Sequence, residues 1–237
     1  MRLSAPIFRL KRRAKLLARE RGIALHEALD RVAREDGFKS WSHLAISASK
    51  HRPASEILSQ LNSGDLVLLG ARPGHGKTLL GLELIVEAAR QRRRGFFFTL
   101  DYHEGDVLMR LRSLGVDPAA ASGTFALDTS DDICADHIIA NLAGAPRGAI
   151  AVIDYLQILD QRRSNPVLAD QISALRAFAQ RSELIVVVIS QIDRAFELRG
   201  KPLPDLSDVR LPNPLDLSLF TKSCFLHEGE VRLEAVE

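Results

Sequence analysis

Two rhythms of apolar residues divide the chain near residue 52. Before that point apolar positions recur every three to four residues. Leu10, Ala14, Leu17 and Ala18 share one face of a helix predicted over residues 7–21 and stopped near Gly22. Leu25, Ala28, Leu29, Val32 and Ala33 form a second stripe that ends at Gly37. Ser40 is placed to cap a short third helix carrying Trp41 and Leu44, ending near residue 50. Phe38 and Trp41 are assigned to the core of this unit rather than to a base-stacking platform. Beyond residue 52, short continuous apolar runs alternate with helical stretches. Residues 65–69, 95–100, 124–127, 149–153 and 184–189 read as strands. Helices are predicted from Lys77 to about Gln91, through Val107, Leu111 and Leu114, over residues 131–142, and around Ile172, Leu175 and Phe178. Strands apolar on both faces and separated by helices mean a mostly parallel sheet covered by helices on both sides. After Gln191 the chain is Pro-rich, which predicts a long loop before a hairpin near residues 224–226 and 231–233. The reading is therefore a small all-α unit over 1–52, a linker at His51, Arg52 and Pro53, and an α/β domain over 53–237.

Composition adds three points. With 237 residues, 46% of them hydrophobic, the chain can bury a substantial core. Two cysteines, Cys134 and Cys224, are too few for a disulfide framework and fit a reducing cytoplasm. The opening MRLSAPIFRLKRRAK has no apolar stretch of signal-peptide type, and the longest apolar run, Leu184 to Ile189, is far too short to span a bilayer. Charge is lopsided. Residues 1–52 hold 13 Lys+Arg against 5 Asp+Glu, and the remainder holds 19 against 25. Such a basic head is either a solvated helix face or a surface that meets an anionic partner, nucleic acid or protein.

The chemistry starts at LLGARPGHGKTLLG, residues 68–81, where a strand runs into a Gly-rich turn, a Lys-Thr pair and a helix. In that context the segment Ala71, Arg72, Pro73, Gly74, His75, Gly76, Lys77, Thr78, Leu79 reads as a phosphate-binding loop for ATP. Glycines let backbone N–H groups point into a concavity, the helix N-terminus adds its positive end, and Lys77 neutralises phosphate oxygens. Thr78 supplies a hydroxyl of the kind Mg2+ takes as a ligand. The usual pattern wants Gly where this chain has Ala71; an ordinary Gly-rich turn is the plainer alternative. Three further segments point the same way. AIAVIDYLQIL ends an apolar strand in Asp154, at the sheet edge where open α/β folds bind ligands, so Asp154 is the second Mg2+ candidate. FFFTLDYHEGDVLMRL ends a strand near Asp101, a general base for water or a cap for the following helix. VVVISQIDR carries Gln191 off the last core strand, to sense a phosphate or simply to satisfy strand-end hydrogen bonds.

Taken in order, ARPGHGKT, FTLDYHEGDVLMRL, IDYLQIL, ISQIDR and LSDVR resemble the ATPase domain of DnaB-type replicative helicases, a RecA-like P-loop NTPase. The resemblance covers about residues 64–227 and accommodates Ala71. It implies that Lys77 and Thr78 bind phosphate and Mg2+, that Asp154 is the metal-side acid, and that Gln191 couples nucleotide state to a DNA-facing loop. Arg194, Arg199, Lys201 and Arg210 lie in or near that loop. It also implies a homo-oligomer such as a hexamer, acting on single-stranded DNA. The chain departs from the pattern in three places. Asp101 stands where the family has Glu, a side chain shorter by about 1.5 Å, and a misplacement of that order can cost about 100-fold in rate. CFLHEGEV puts His227 or Glu228 where the family has an Arg that reaches the neighbouring subunit, leaving Lys222 or Arg232 as replacements. Residues 1–52 stand where the family has a large helical domain. Two functions therefore remain: a DNA-stimulated ATPase of helicase or translocase type, and a slowly hydrolysing nucleotide switch or loader. A small-molecule P-loop kinase fits the phosphate loop but not IDYLQIL or SQIDR.

Overall fold

The computed structural model describes residues 7–44, 53–117, 123–160, 165–211 and 213–236. The chain divides into two compact units, Met1–Pro53 with Glu228–Glu230, and Ala54–His227 with Val231–Glu237. In the first, α1 (Ile7–Arg21) and α2 (Leu25–Glu35) meet through Leu10, Ala14, Ala28, Val32 and Ala33, and Phe38 and Leu44 close the cluster. Ser40 does start a further turn. Its Oγ accepts the His43 N–H at 3.2 Å, and residues 41–44 are helical. Trp41 packs half-buried against the same cluster. The expected end of that helix near residue 50 and the linker residues His51 and Arg52 lie outside the described residues.

The second unit is built on one seven-stranded sheet. Its strands are β1 (Leu66–Ala71), β2 (Gly95–Thr99), β3 (Phe125–Asp128), β4 (Ile150–Asp154), β5 (Ile185–Gln191), β6 (Lys222–His227) and β7 (Glu230–Ala235), in the order β3-β2-β4-β5-β1-β6-β7. Every pairing from β3 across to β6 is parallel. The helices are α3 (Pro53–Ser59), α4 (Lys77–Arg90), α5 (Glu104–Ser113), α6 (Ala135–Leu142), α7 (Leu168–Ser182) and α8 (Ala195–Leu198). Successive strand residues serve opposite cores, as the pleat requires. On β4, Ile150 and Val152 join Leu84 and Ile85 of α4, whereas Ala151 and Ile153 join Ile172 and Leu175 of α7. Each such aliphatic side chain contributes about 1.5–3 kcal/mol on burial, so the continuous apolar strands are what a sheet covered on both faces needs.

One contact sets the site. A Cβ built on Gly81 would lie 3.0 Å from Ile189 Cδ1 and Val152 Cγ1, so α4 rides low across β4 and β5. That anchors its N-terminus at the carboxyl edge of the sheet. Elsewhere the structure departs from the expected boundaries. The helix expected from residue 131 begins at Ala135, because Asp128 accepts the Ser130 N–H at 2.8 Å and Ser130 accepts the Asp132 N–H at 3.1 Å. Such side-chain to backbone bonds hold a turn against the helix. The helices α3 and α8 were not expected; with 7 and 4 residues they are too short to show a period.

Candidate functional site

The parallel registers align Thr99 with Asp154, Asp154 with Ile189, and Ala71 with both Gln191 and Leu226. The strand ends singled out from the sequence therefore share one edge, the carboxyl edge, where ligands of open α/β sheets bind. Ala71 is the last residue of β1 and fully buried in the core below the loop, so its methyl group fits where Gly would otherwise stand.

Residues 72–76 form the turn from β1 into α4. Gly74 and Gly76 have φ of 81° and 89°, the left-handed region that side chains disfavour. Gly76 is the N-cap of α4 and no side chain caps it, which leaves first-turn N–H groups of α4 to an outside acceptor. The flank of the loop is pinned. Arg72 donates from Nε to Glu197 Oε1 at 2.8 Å and from Nη1 to the Ile192 carbonyl at 3.1 Å. His75 stacks on His227 with ring centroids 4.9 Å apart and planes 8° from parallel, and His227 meets the edge of Phe196. Leu79 stays partly exposed on the first turn of α4.

Asp154 carries the clearest signal. It is 1% exposed, yet neither carboxylate oxygen has a hydrogen-bond partner. Burial pushes its pKa up to about 6, against the opposing pull of the Thr78 hydroxyl and of the Lys77 and Arg110 cations; the Asp101 carboxylate adds to the rise. Thr78 is thus close enough to act on the carboxylate without meeting either oxygen in hydrogen-bonding geometry. Ser190 Oγ, on the strand between, is also buried without a partner. Orphaned buried oxygens are costly and ask for an explanation. A carboxylate facing a threonine hydroxyl is a hard oxygen pair of the kind that suits Mg2+, which takes few protein ligands and completes its shell with phosphate and water oxygens. The residues present fit that ion.

Asp101 lies just past β2, its N–H donating to Thr99 Oγ1 at 3.2 Å. It does not cap the next helix: the N-cap of α5 is His103, without a side-chain bond, and Glu104 is the first helical residue. Although Asp101 is open to solvent on one side, the protein around it raises its pKa, and Lys77 pulls the other way. Lys77, Asp101 and Asp154 therefore act on one another electrostatically. Gln191 is tied to the segment beyond it. Its carbonyl accepts the Arg210 N–H at 2.8 Å, and its amide oxygen lies 3.5 Å from Arg210 Nη1. Gln157 donates to the Arg210 carbonyl at 3.0 Å. Arg210 is thus held between two glutamines at the sheet edge.

The other loop cations differ among themselves. Arg194 is exposed at the N-terminus of α8. Arg199 pairs with Asp208 at 2.7 Å, and Lys201 with Asp205 at 2.7 Å and Asp208 at 3.2 Å. The Asp208 side chain is completely buried. Of the replacements considered for the missing Arg, Lys222 is paired with Asp65 at 2.8 Å. It aligns with Val67, at the opposite end of the sheet from the loop. Arg232 sits on β7 beside Glu234. His227 is the residue from that region that reaches the phosphate loop. Sequence reasoning passed over Arg110, whose guanidinium lies 4.2 Å over the Tyr102 ring while acting on Asp154. Its place in VLMRL, one turn beyond Asp106, was the available signal.

Fold and site together define a RecA-like P-loop architecture, a mostly parallel sheet with a phosphate loop facing a buried acid. Residues 124–214 match the family model of the DnaB-like helicase C terminal domain, a range that holds Asp154 and Gln191 but begins after the loop and Asp101. A "Probable plasmid replicative DNA helicase" of Chlamydia muridarum is 30% identical over 181 residues, 63% of this chain and 40% of that protein. The replicative DNA helicase DnaB of Helicobacter pylori is 24% identical over 206 residues, 72% of this chain and 42% of that one. The chain thus spans about two fifths of the length of these curated relatives. A solved DnaB-like replicative helicase, described with its interactions with primase, superposes with a TM-score of 0.60 over 97% of this chain and 73% of its own, at 15% identity. That likeness speaks for the fold. These matches bear out the resemblance to DnaB-type helicases, the family model covering the last three of the five motifs, and no described helix is long and apolar enough to cross a membrane.

Proposed function

We propose that the chain is an ATP-binding and ATP-hydrolysing unit of the DnaB helicase type, a translocase on single-stranded DNA that assembles as a homo-oligomer in the cytoplasm. The observation that carries the reading is Asp154, buried with both oxygens unmatched beside Thr78 and Lys77 at the mouth of an uncapped helix. Backbone N–H groups of the loop and the Lys77 ammonium hold the phosphates of ATP. Thr78 and Asp154 hold Mg2+, which when bound neutralises charge developing on the transferred phosphoryl group. Asp101 orients water and accepts its proton. Gln191, through Arg210, links the nucleotide edge to the segment after β5, where Arg194 and Arg210 are placed to meet DNA phosphates.

The slower switch or loader is the second reading, and two observations favour it. Asp101 is short for its task, and Arg199 and Lys201 spend their charge on Asp205 and Asp208 rather than on a ligand. One experiment treats both readings: ATP binding and turnover with and without single-stranded DNA for the native chain, Lys77→Ala and Asp101→Glu. Lys77→Ala is expected to lose nucleotide binding, and turnover retained in that variant would refute the ATPase assignment. A large gain in Asp101→Glu supports the switch, whereas a loss supports Asp101 as a working base.

A further inference from the structure

The sequence of α1, IFRLKRRAKLLARER, sorts its charges around the helix. At 100° per residue, Lys11, Lys15, Arg19 and Arg12 fall within one arc about 100° wide, and no acid falls inside it. The arc lies beside the apolar face: Leu10 and Ala14 are spent in the contact with α2, and all four cations are exposed. Among the described residues none of the four has an ion pair; Arg13, on the far side of the helix, pairs with Glu35 instead. At 1.5 Å per residue, Lys11, Lys15 and Arg19 follow one another about 6 Å apart along the axis.

From this pattern we infer that the outer face of α1 is a docking surface for the phosphate backbone of DNA. An anionic membrane is the wrong partner on physical grounds. An interfacial helix must sink a broad apolar face into lipid, and here the apolar positions Leu10 and Ala14 are buried against α2 with Leu17 partly buried beside them, leaving Leu16 exposed among the described side chains. Cations repeating once per helical turn along one arc suit a polyanion with regularly spaced charges. The inference rests on α1 alone and not on the nucleotide site.

The test is fluorescence anisotropy of labelled oligonucleotides with the full chain carrying Lys77→Ala, without nucleotide, between 50 and 200 mM salt. Four phosphate contacts give a slope of log affinity against log salt of about −2.8 on single strands and about −3.6 on duplex. The fourfold variant Lys11→Ala, Arg12→Ala, Lys15→Ala, Arg19→Ala is expected to flatten the slope by about that much and to weaken binding more than tenfold at 50 mM salt. Circular dichroism reports whether α1 persists. Should that variant not fold, Lys15→Glu is expected to flatten the slope by about 1.4 on single strands, and Lys11→Arg with Lys15→Arg to leave it unchanged. Unchanged affinity and slope in a folded fourfold variant, or an unchanged slope in Lys15→Glu, overturns the inference. So does uptake of the native chain by phosphatidylserine vesicles without binding to oligonucleotides.

Discussion

Asp154→Asn isolates what the buried acid costs the fold. Burial, above all, pushes the native carboxyl up to about 6 from an ordinary value of 3.8, which corresponds to about 3 kcal/mol between the two protonation states. The sign follows from linkage. A carboxyl whose folded pKa is raised binds its proton more tightly in the folded state. Its favourable contribution is present in full below the unfolded value near 4 and is lost as the pH climbs through 6. Asparagine has no titration there. Its buried amide carries unmatched hydrogen-bonding groups of its own, but that cost is the same at every pH. Asp101 titrates in both proteins and largely cancels. Urea denaturation at pH 4 and pH 8 should therefore show the stability difference between the two proteins swinging by about 3 kcal/mol toward the variant as the pH rises, equivalent to about 6–12 °C in Tm for a chain of this size. Mg2+ with ATP should stabilise the native chain more than the variant, which keeps Lys77 and the loop but loses the carboxylate facing the metal. A stability difference that does not vary with pH would mean that Asp154 is not a desolvated, unpartnered carboxylate, and the reasoning for its metal role would go with it.

Two further substitutions probe the frame of the site. A Cβ on Gly95 would stand 2.4 Å from Ile85 Cγ2, so Gly95→Ala is expected to destabilise by about 1–3 kcal/mol through overpacking, read as a Tm lowered by about 2–12 °C; an unchanged Tm would show that α4 slides freely over β2. Arg199→Ala removes one of two cations on the fully buried Asp208 and should cost about 1.5–3 kcal/mol with little change in DNA affinity. The opposite outcome, stability kept and DNA binding weakened, would return Arg199 to the nucleic-acid surface.

What could be read from the sequence was local. The strand running into Gly74-His75-Gly76-Lys77-Thr78, and the apolar run ending in Asp154, are each spelled out within about a dozen residues, because a parallel strand buried on both faces has to be apolar to its end. The sheet then forces those ends to one edge. What could not be read was the choice of partner between distant segments. Nothing near Arg199 or Lys201 announces that Asp205 and Asp208 will fold back on them, and nothing near His75 announces His227. The same limit applies to Lys222, which looks available in CFLHEGEV's neighbourhood until the register of β6 against β1 places it at the far end beside Asp65. Charge is legible as a count, but its availability depends on tertiary neighbours.

The strand order explains why the site needs β5 to end as it does. The phosphate loop leaves β1 and the acid leaves β4, and β5 lies between them. Neighbouring strands are about 4.8 Å apart, so the two backbones stand about 10 Å apart at the edge, too far for Thr78 and Asp154 to share an ion unless the intervening strand keeps low. Its residue aligned with Gly70 is Ser190, small, fully buried and unpartnered, and the larger Gln191 beyond it turns toward Arg210. By the pleat, however, Ser190 follows Val186 and Val188 to the face opposite Asp154. The residue of β5 on the side of Asp154 is Ile189, whose Cδ1 would meet a Cβ on Gly81 at 3.0 Å, so α4 settles directly over it and its first turn comes to the acid; the unmatched oxygens of Asp154 and Ser190 are separate features on opposite faces of the sheet.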